Sequence, residues 1–127
     1  MTMVQVSDFH VDLWYTPGSN SICGEPLCCR STSLGHNTSA GPWGELNGSC
    51  DTPTNSGLNA ITQMARNHHD VDFIVWTGDT VAHDVWNVTR EVNLKSIKTI
   101  SDRFKKEFPS TIILPALGNH EAVPVNL

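Results

Sequence analysis

Three short apolar segments, separated by two segments of helical periodicity, constrain the fold of this 127-residue chain more than any other feature. Met3–Val6, Val71–Trp76 and Thr111–Leu114 are rich in Val, Ile and Phe, which is typical of β-strands. Strands that alternate with helices favour a parallel sheet with right-handed crossovers. Because Val71–Trp76 is almost continuously apolar, we expect both of its faces to be covered.

Two helices are predicted between these strands. Asn55 or Ser56 can cap the first, and the second runs from Val85 to Phe108, where Pro109 ends it. Their apolar faces consist of Leu58, Ile61 and Ala65 and of Val88, Val92, Ile97, Ile100, Phe104 and Phe108. The predicted fold class is therefore α/β, in the order β–long loop–α–β–α–β with a parallel sheet.

The long loop, from residue 9 to about residue 54, contains all four cysteines. Cys23, Cys28, Cys29 and Cys50 do not show the paired C-x2-C spacing of zinc sites, so disulfides are the better interpretation. A bond between adjacent cysteines strains the peptide, which disfavours one of the three connectivities. We prefer Cys23–Cys28 with Cys29–Cys50, and four free thiols are the alternative.

Three N-x-S/T triplets predict glycosylation at Asn37, Asn47 and Asn87. Together with an even number of cysteines they indicate an oxidising compartment, and we expect a secreted or lysosomal protein. The first six residues lack the pattern of a signal peptide, so we expect either a truncated N-terminus or entry encoded elsewhere.

The charge of the chain excludes one class of partner. Eight basic and thirteen acidic residues give a net charge of −5, and no basic run is present. Binding to the phosphate backbone of nucleic acid requires positive charge, so no nucleic-acid partner is expected. No apolar stretch approaches the roughly 18 residues of a membrane helix.

Polar residues follow each predicted strand. Asp8 and His10 follow the first strand, Asp79 the second, and Asn119 and His120 the third. Because the carboxyl ends of parallel strands meet at one edge of a sheet, we expect these side chains to converge there. Singly, such residues are ordinary turn and capping residues. Together, their carboxylate, imidazole and amide groups could bind two divalent cations.

Asp8-x-His10, Gly78-Asp79 and Gly118-Asn119-His120-Glu121 resemble the first three motifs of the calcineurin-like metallophosphoesterases. Within that group the chain is similar to the acid sphingomyelinase family from about Val4 to Asn126. The segments that carry this narrower similarity are Cys23–Arg30, Gly41–Gly44, Trp76–Asp79, His83–Trp86 and Gly118–Glu121 followed by Pro124–Asn126. The adjacent cysteines distinguish the chain from the sphingomyelinase-like phosphodiesterases.

The resemblance implies a partial metallophosphoesterase fold with two zinc ions, whose ligands here would be Asp8, His10, Asp79 and Asn119, with Asp79 bridging. His120 would lie beside the phosphate, and His120 or His83 would donate a proton. The same disulfide pairing, Cys23–Cys28 and Cys29–Cys50, is implied. The family completes its site with three further histidines that residues 1–127 lack. We therefore expect an N-terminal portion of a catalytic domain, without a saposin-like domain and inactive alone.

The function implied by the resemblance is hydrolysis of sphingomyelin to ceramide and phosphocholine at a membrane surface. One alternative is a related phosphodiesterase that acts on nucleotides or other phosphate esters. Another is a truncated, non-catalytic secreted product. The adjacent cysteines and Glu121 with Pro124–Asn126 favour sphingomyelin over other phosphate esters, whereas the missing histidines favour a non-catalytic product for residues 1–127 alone.

Overall fold

The computed structural model describes residues 1–36 and 39–126 of the chain. In chain order the elements are β1 (Met3–Val6), β2 (Val11–Asp12), β3 (Thr52–Pro53), α1 (Thr54–Asn67), β4 (Phe73–Trp76), α2 (Arg90–Glu107) and β5 (Ile112–Pro115). β1, β4 and β5 form a parallel sheet with β4 in the centre. The α/β class with a parallel sheet is therefore confirmed, although β4 and β5 each begin later than the sequence predicts.

Both helices pack on the same face of the sheet. Ile74 and Trp76 of β4 are buried against Ile61 of α1 and against Ile100 and Phe104 of α2. The strand order β1-β4-β5 advances in one direction, so two right-handed crossovers place their helices on the same side.

The opposite face of the sheet remains open. Met3, Ile112 and Leu114 are at least half exposed. The prediction that β4 is covered on both faces is wrong for the described residues. An apolar strand indicates that burial is favourable, but it does not tell which segment covers each face.

The start of α1 differs from the prediction. The helix begins at Thr54, so Asn55 and Ser56 lie in its first turn rather than at its cap. Pro53 occupies the cap position, where its φ of −56° leads directly into the helix. The Ser56 hydroxyl instead donates a hydrogen bond of 2.7 Å to the carbonyl of Trp43.

The start of α2 is also later than predicted, at Arg90 instead of Val85. Thr89 caps it, because its hydroxyl accepts a hydrogen bond from the Val92 amide. Val88 therefore lies outside the helix, and the fully buried positions of α2 are Asn93, Ser96, Ile100 and Phe104. Among the described residues, neither helix is long and apolar enough to span a bilayer.

Residues 13–51, which we call the disulfide loop, connect β2 to β3. These two short strands pair in parallel, with Val11 opposite Thr52, and so bring the ends of the loop together. The structure joins Cys23 to Cys28 and Cys29 to Cys50, the preferred pairing. Leu27, Cys28, Cys29 and Ala40 are buried and form the interior of the loop.

The predicted glycosylation sites are surface positions where the structure describes them. Asn47 and Asn87 are exposed, and Asn37 lies outside the described residues. His36, His68 and His69 are exposed as well.

Candidate metal centre

The ends of β1 and β4 bring three potential ligands together. One ligand atom from each of Asp8, His10 and Asp79 lies within 4.8 Å of the other two. The backbone fixes this arrangement, since the Asp8 amide donates to the Gly78 carbonyl at 3.1 Å and the His10 amide to the Asp79 carbonyl at 3.0 Å. The predicted convergence of these three residues at one edge of the sheet is therefore present.

All three of these residues adopt left-handed backbone conformations. Their φ angles are 55° at Asp8, 37° at His10 and 52° at Asp79. Non-glycine residues rarely adopt such angles, and each costs about 1–3 kcal/mol. Conformations of this kind persist where the surrounding structure holds them, and they cluster at functional sites.

Two glycines allow the strand-end loops to approach each other. Gly78 has a φ of 90°, and a Cβ at this position would overlap the backbone of Gly118. A Cβ at Gly118 would in turn overlap Asp79. The glycines of the second and third motifs are therefore required for close contact between the loops after β4 and β5.

The His10 ring is oriented as a metal ligand requires. Its Nδ1 lies 2.8 Å from the Val81 carbonyl, which can only accept, so Nδ1 carries the hydrogen. Nε2 is then unprotonated at neutral charge, and it lies 3.6 Å from Oδ1 of Asp8. An imidazole held in this way, beside two carboxylates, fits a divalent transition-metal ion.

The loop after β5 contributes the third motif. The His120 amide donates to Oδ1 of Asp79 at 3.0 Å, which places this loop against the carboxylate of the second motif. The Asn119 side chain is exposed, and its amide nitrogen donates to Asn126 at 2.9 Å. In the part of the chain that the structure describes, no donor is found for the side-chain oxygen of Asn119, and its role as a metal ligand stays a prediction.

Glu121 joins the loop after β4 to the loop after β5 by hydrogen bonds to their backbone amides. Its carboxylate accepts hydrogen bonds from the backbone amides of Asp79, Thr80 and Gly118, at 2.9, 2.5 and 2.6 Å. Glu121 belongs to the third motif, but no role for it is predicted from the sequence. A carboxylate beside glycine-rich strand ends is the signal that could have suggested one.

Asn93 supports the same loop from α2. Its side-chain nitrogen donates to the carbonyls of His120 and Glu121 at 3.2 and 3.0 Å, and the residue is 2% exposed. Asn93 was not among the predicted site residues, because a helical pattern predicts apolar residues at buried positions.

Three histidine rings form a cluster at this edge. His83 stacks on His10 with 4.0 Å between ring centroids, and His120 meets them edge-on at 4.7 and 5.1 Å respectively. Burial, with the charges of His83 and His10, lowers the pKa of His120 against the opposing effects of Asp79 and Asp51. The two predicted proton donors, His83 and His120, thus lie together and beside a predicted ligand.

A buried ion-pair network connects the disulfide loop to this cluster. Arg30 lies 2.8 Å from Asp12 and 2.9 Å from Asp84, and all three side chains are at most 13% exposed. Burial opposes the charge of Arg30, but hydrogen bonds to Asp12 and Asp84 prevail and raise its pKa. Since Asp84 follows His83, this network holds the histidine segment, and no sequence motif pointed to it.

The model of the calcineurin-like phosphoesterase family matches residues 1–126. The chain belongs to this family. Family membership implies divalent metal ions, and the donor set of Asp8, His10 and Asp79 fits them.

Three similar proteins narrow the comparison. The chain is 41% identical to "Sphingomyelin phosphodiesterase A" of Dictyostelium discoideum, over 98% of this chain and 20% of that protein. It is 36% identical to the human "Sphingomyelin phosphodiesterase", over 95% of this chain and 19% of that protein. With the mouse "Acid sphingomyelinase-like phosphodiesterase 3b" the identity is 34%, over 95% of this chain and 25% of that protein. The chain therefore spans about a fifth to a quarter of the length of these curated relatives.

Proposed function

We propose that the whole protein is a metal-dependent phosphodiesterase that hydrolyses sphingomyelin to ceramide and phosphocholine. The observation that carries this proposal is the convergence of Asp8, His10 and Asp79 beside a cluster of histidines. Carboxylates and an imidazole can hold divalent cations, and neighbouring imidazoles can move protons. The names of the relatives that share 36–41% identity support sphingomyelin as the substrate.

The proposed cofactor is a pair of zinc ions. Asp8, His10, Asp79 and Asn119 would hold them. Metal ions at such a site neutralise the phosphoryl oxygens and activate water for attack on phosphorus. The metal-binding residues of this chain would therefore act by holding the cations that bind the phosphate and stabilise charge in the transition state.

The histidines of the chain would carry the proton transfer. His83 and His120 lie 4.7 Å apart between ring centroids, at the edge where the phosphate would bind. One of them would protonate the oxygen that leaves with ceramide, a step worth about 10²–10⁴-fold in rate. Acidic conditions favour this role, because a histidine must be protonated before it can donate.

The disulfides and sequons of the chain support a location of the protein outside the reducing cytosol. Two disulfides and exposed sequons at Asn47 and Asn87 fit a secreted or lysosomal protein. Sphingomyelin is a membrane lipid, so the whole protein would act at a membrane surface. Deglycosylation followed by mass spectrometry of the secreted protein tests this part of the proposal.

The decisive experiment measures phosphocholine release from sphingomyelin vesicles by the whole protein at about pH 5, below the usual pKa of histidine near 6.5. We expect turnover that a chelator abolishes and that Asp79→Asn lowers strongly. Asp102→Asn, which removes an exposed acid paired with Lys98, is the matched control and should retain activity. Hydrolysis of a nucleotide diester without hydrolysis of sphingomyelin would support the alternative substrate class and overturn sphingomyelin.

A further inference from the structure

Asp51, the last residue of the disulfide loop, holds His83 at two points. Its Oδ2 accepts a hydrogen bond of 2.6 Å from the His83 amide. Its Oδ1 lies 2.7 Å from Nδ1 of the His83 ring. The Asp51 side chain is only 9% exposed, whereas that of His83 is 50% exposed. One carboxylate therefore fixes both the backbone and the ring of an otherwise accessible histidine.

The Cys29–Cys50 disulfide places Asp51 beside His83. Cys50 directly precedes Asp51, and Cys29 directly precedes Arg30, which binds Asp84 at 2.9 Å. Each end of the disulfide is thus followed by a residue that binds the His83-Asp84 pair. The bond joins two separate contacts to one dipeptide, which restricts how far either contact can move.

The contact with Asp51 also determines which ring nitrogen carries the proton. An ionised carboxylate can only accept, so Nδ1 of His83 must donate and the neutral ring has a bare Nε2. No partner of Nε2 is found in the described part of the chain. The ring itself stacks on His10 and meets His120 edge-on.

We propose that Asp51 is a positioning residue for His83, which fixes the ring and its Nδ1–H tautomer so that Nε2 is the nitrogen available to the site. Nε2 can then take up a proton and return it to a leaving oxygen. This use of Nε2 rests on the proposed function, whereas the tautomer does not depend on any substrate.

Asp51→Asn distinguishes positioning from simple support of the fold. The asparagine oxygen can still accept from the His83 amide, which leaves its NH₂ group facing Nδ1. An NH₂ group donates, so Nδ1 must accept and the hydrogen must move to Nε2. The variant therefore keeps the backbone contact and exchanges the tautomer.

The test is a long-range ¹H–¹⁵N spectrum of the histidine rings in the full chain, at about pH 8, where histidines with ordinary pKa values are neutral. The signal of His83 is assigned by its loss in His83→Gln. We expect the Nδ1–H tautomer in the wild type and the Nε2–H tautomer in Asp51→Asn. Glu45→Gln, which removes another carboxylate from the same loop, should leave the wild-type signal unchanged.

The wild-type spectrum tests the proposal even if a variant fails to fold. An Nε2–H tautomer in the wild type, or an unchanged tautomer in folded Asp51→Asn, would overturn it. In the whole protein, Asp51→Asn should lower kcat by about 10²-fold or more with little change in KM. If Asp51→Asn exchanges the tautomer but the wild-type whole protein does not hydrolyse sphingomyelin, the proposed function alone is refuted. If the wild type hydrolyses sphingomyelin but Asp51→Asn keeps the wild-type tautomer, the role of Asp51 alone is refuted.

Discussion

The sheet with its two helices and the disulfide loop are stabilised in different ways. The first region buries a continuous apolar cluster that includes Ile61, Ile74, Ile100 and Phe104. In the second, Leu27 is the one large apolar side chain that is buried among the described residues, and two disulfides and the buried Arg30 network hold the loop together. The candidate site therefore depends on both regions: the sheet supplies the metal ligands, and the disulfide loop fixes one of the histidines that face them.

The largest expected effect comes from the apolar cluster. Phe104→Ala removes a ring that is 1% exposed, and it should destabilise the chain by about 3–5 kcal/mol. The strands and helices pack on this cluster, whereas none of the described residues of the disulfide loop belongs to it. Urea unfolding followed by tryptophan fluorescence measures the loss, and a change below about 1 kcal/mol would show that the cluster does not support the sheet and its helices.

Removal of the Cys29–Cys50 disulfide should destabilise the disulfide loop more than the sheet. Replacing both cysteines by serine should cost about 2–4 kcal/mol, because the disulfide restricts the unfolded chain. Amide exchange should increase in the loop and at His83, while the amides of β4 stay protected. Cys23–Cys28 closes a shorter segment, 5 residues apart instead of 21, so its removal is the matched control with a smaller expected loss. If amide exchange increased equally in β4 and in the disulfide loop, the claim that the two regions are stabilised in different ways would be contradicted.

Asn93→Leu should disturb the connection between α2 and the third motif. The change keeps the approximate shape but leaves the carbonyls of His120 and Glu121 without their donor, at a cost of about 1–3 kcal/mol. Faster amide exchange at His120 is the expected signature. Asn59→Leu on the exposed face of α1 is the control and should leave His120 unaffected, and an identical result for both variants would refute the role of Asn93.

The smallest expected effect is a pH dependence within the helical region. The Thr62 hydroxyl, followed by Arg103, lowers the pKa of Glu107. A carboxylate with a lowered pKa stabilises the fold above its unfolded pKa of about 4.3, and the effect disappears as the pH falls through the folded value. Glu107→Gln should therefore lower the urea midpoint slightly at neutral pH and not in acid. A difference that grows towards acid would contradict this sign.

The difference between the sheet region and the disulfide loop also explains which features the sequence could predict. Strands such as Met3–Val6 and the ligands that follow them are local patterns, and the parallel order brings their ends together. β2 and β3 have two residues each, too few for any periodicity. The contacts of Asp51 with His83, and of Arg30 with Asp84, join residues 32 and 54 positions apart, and nothing in the local pattern indicates them.

The cap of α2 shows a smaller limit of sequence-based reasoning. The apolar pattern begins near Val85, but the hydroxyl of Thr89 sets the start of the helix at Arg90. Asn93 is a similar case, because its buried amide serves the loop after β5 rather than the helix. Polar residues that act across elements are therefore the ones that local sequence patterns do not reveal.

The most direct test of the metal centre is a Zn²⁺ titration of the whole protein and of its Asp79→Asn variant by calorimetry. We predict saturable binding to the wild type and an affinity at least about 10-fold lower in the variant, because Asp79 lies among the converging ligand atoms. Asp102→Asn should bind as the wild type does. Equal zinc affinity in the wild type and in Asp79→Asn, or no saturable binding at all, would contradict the assignment of Asp8, His10 and Asp79 as a metal site.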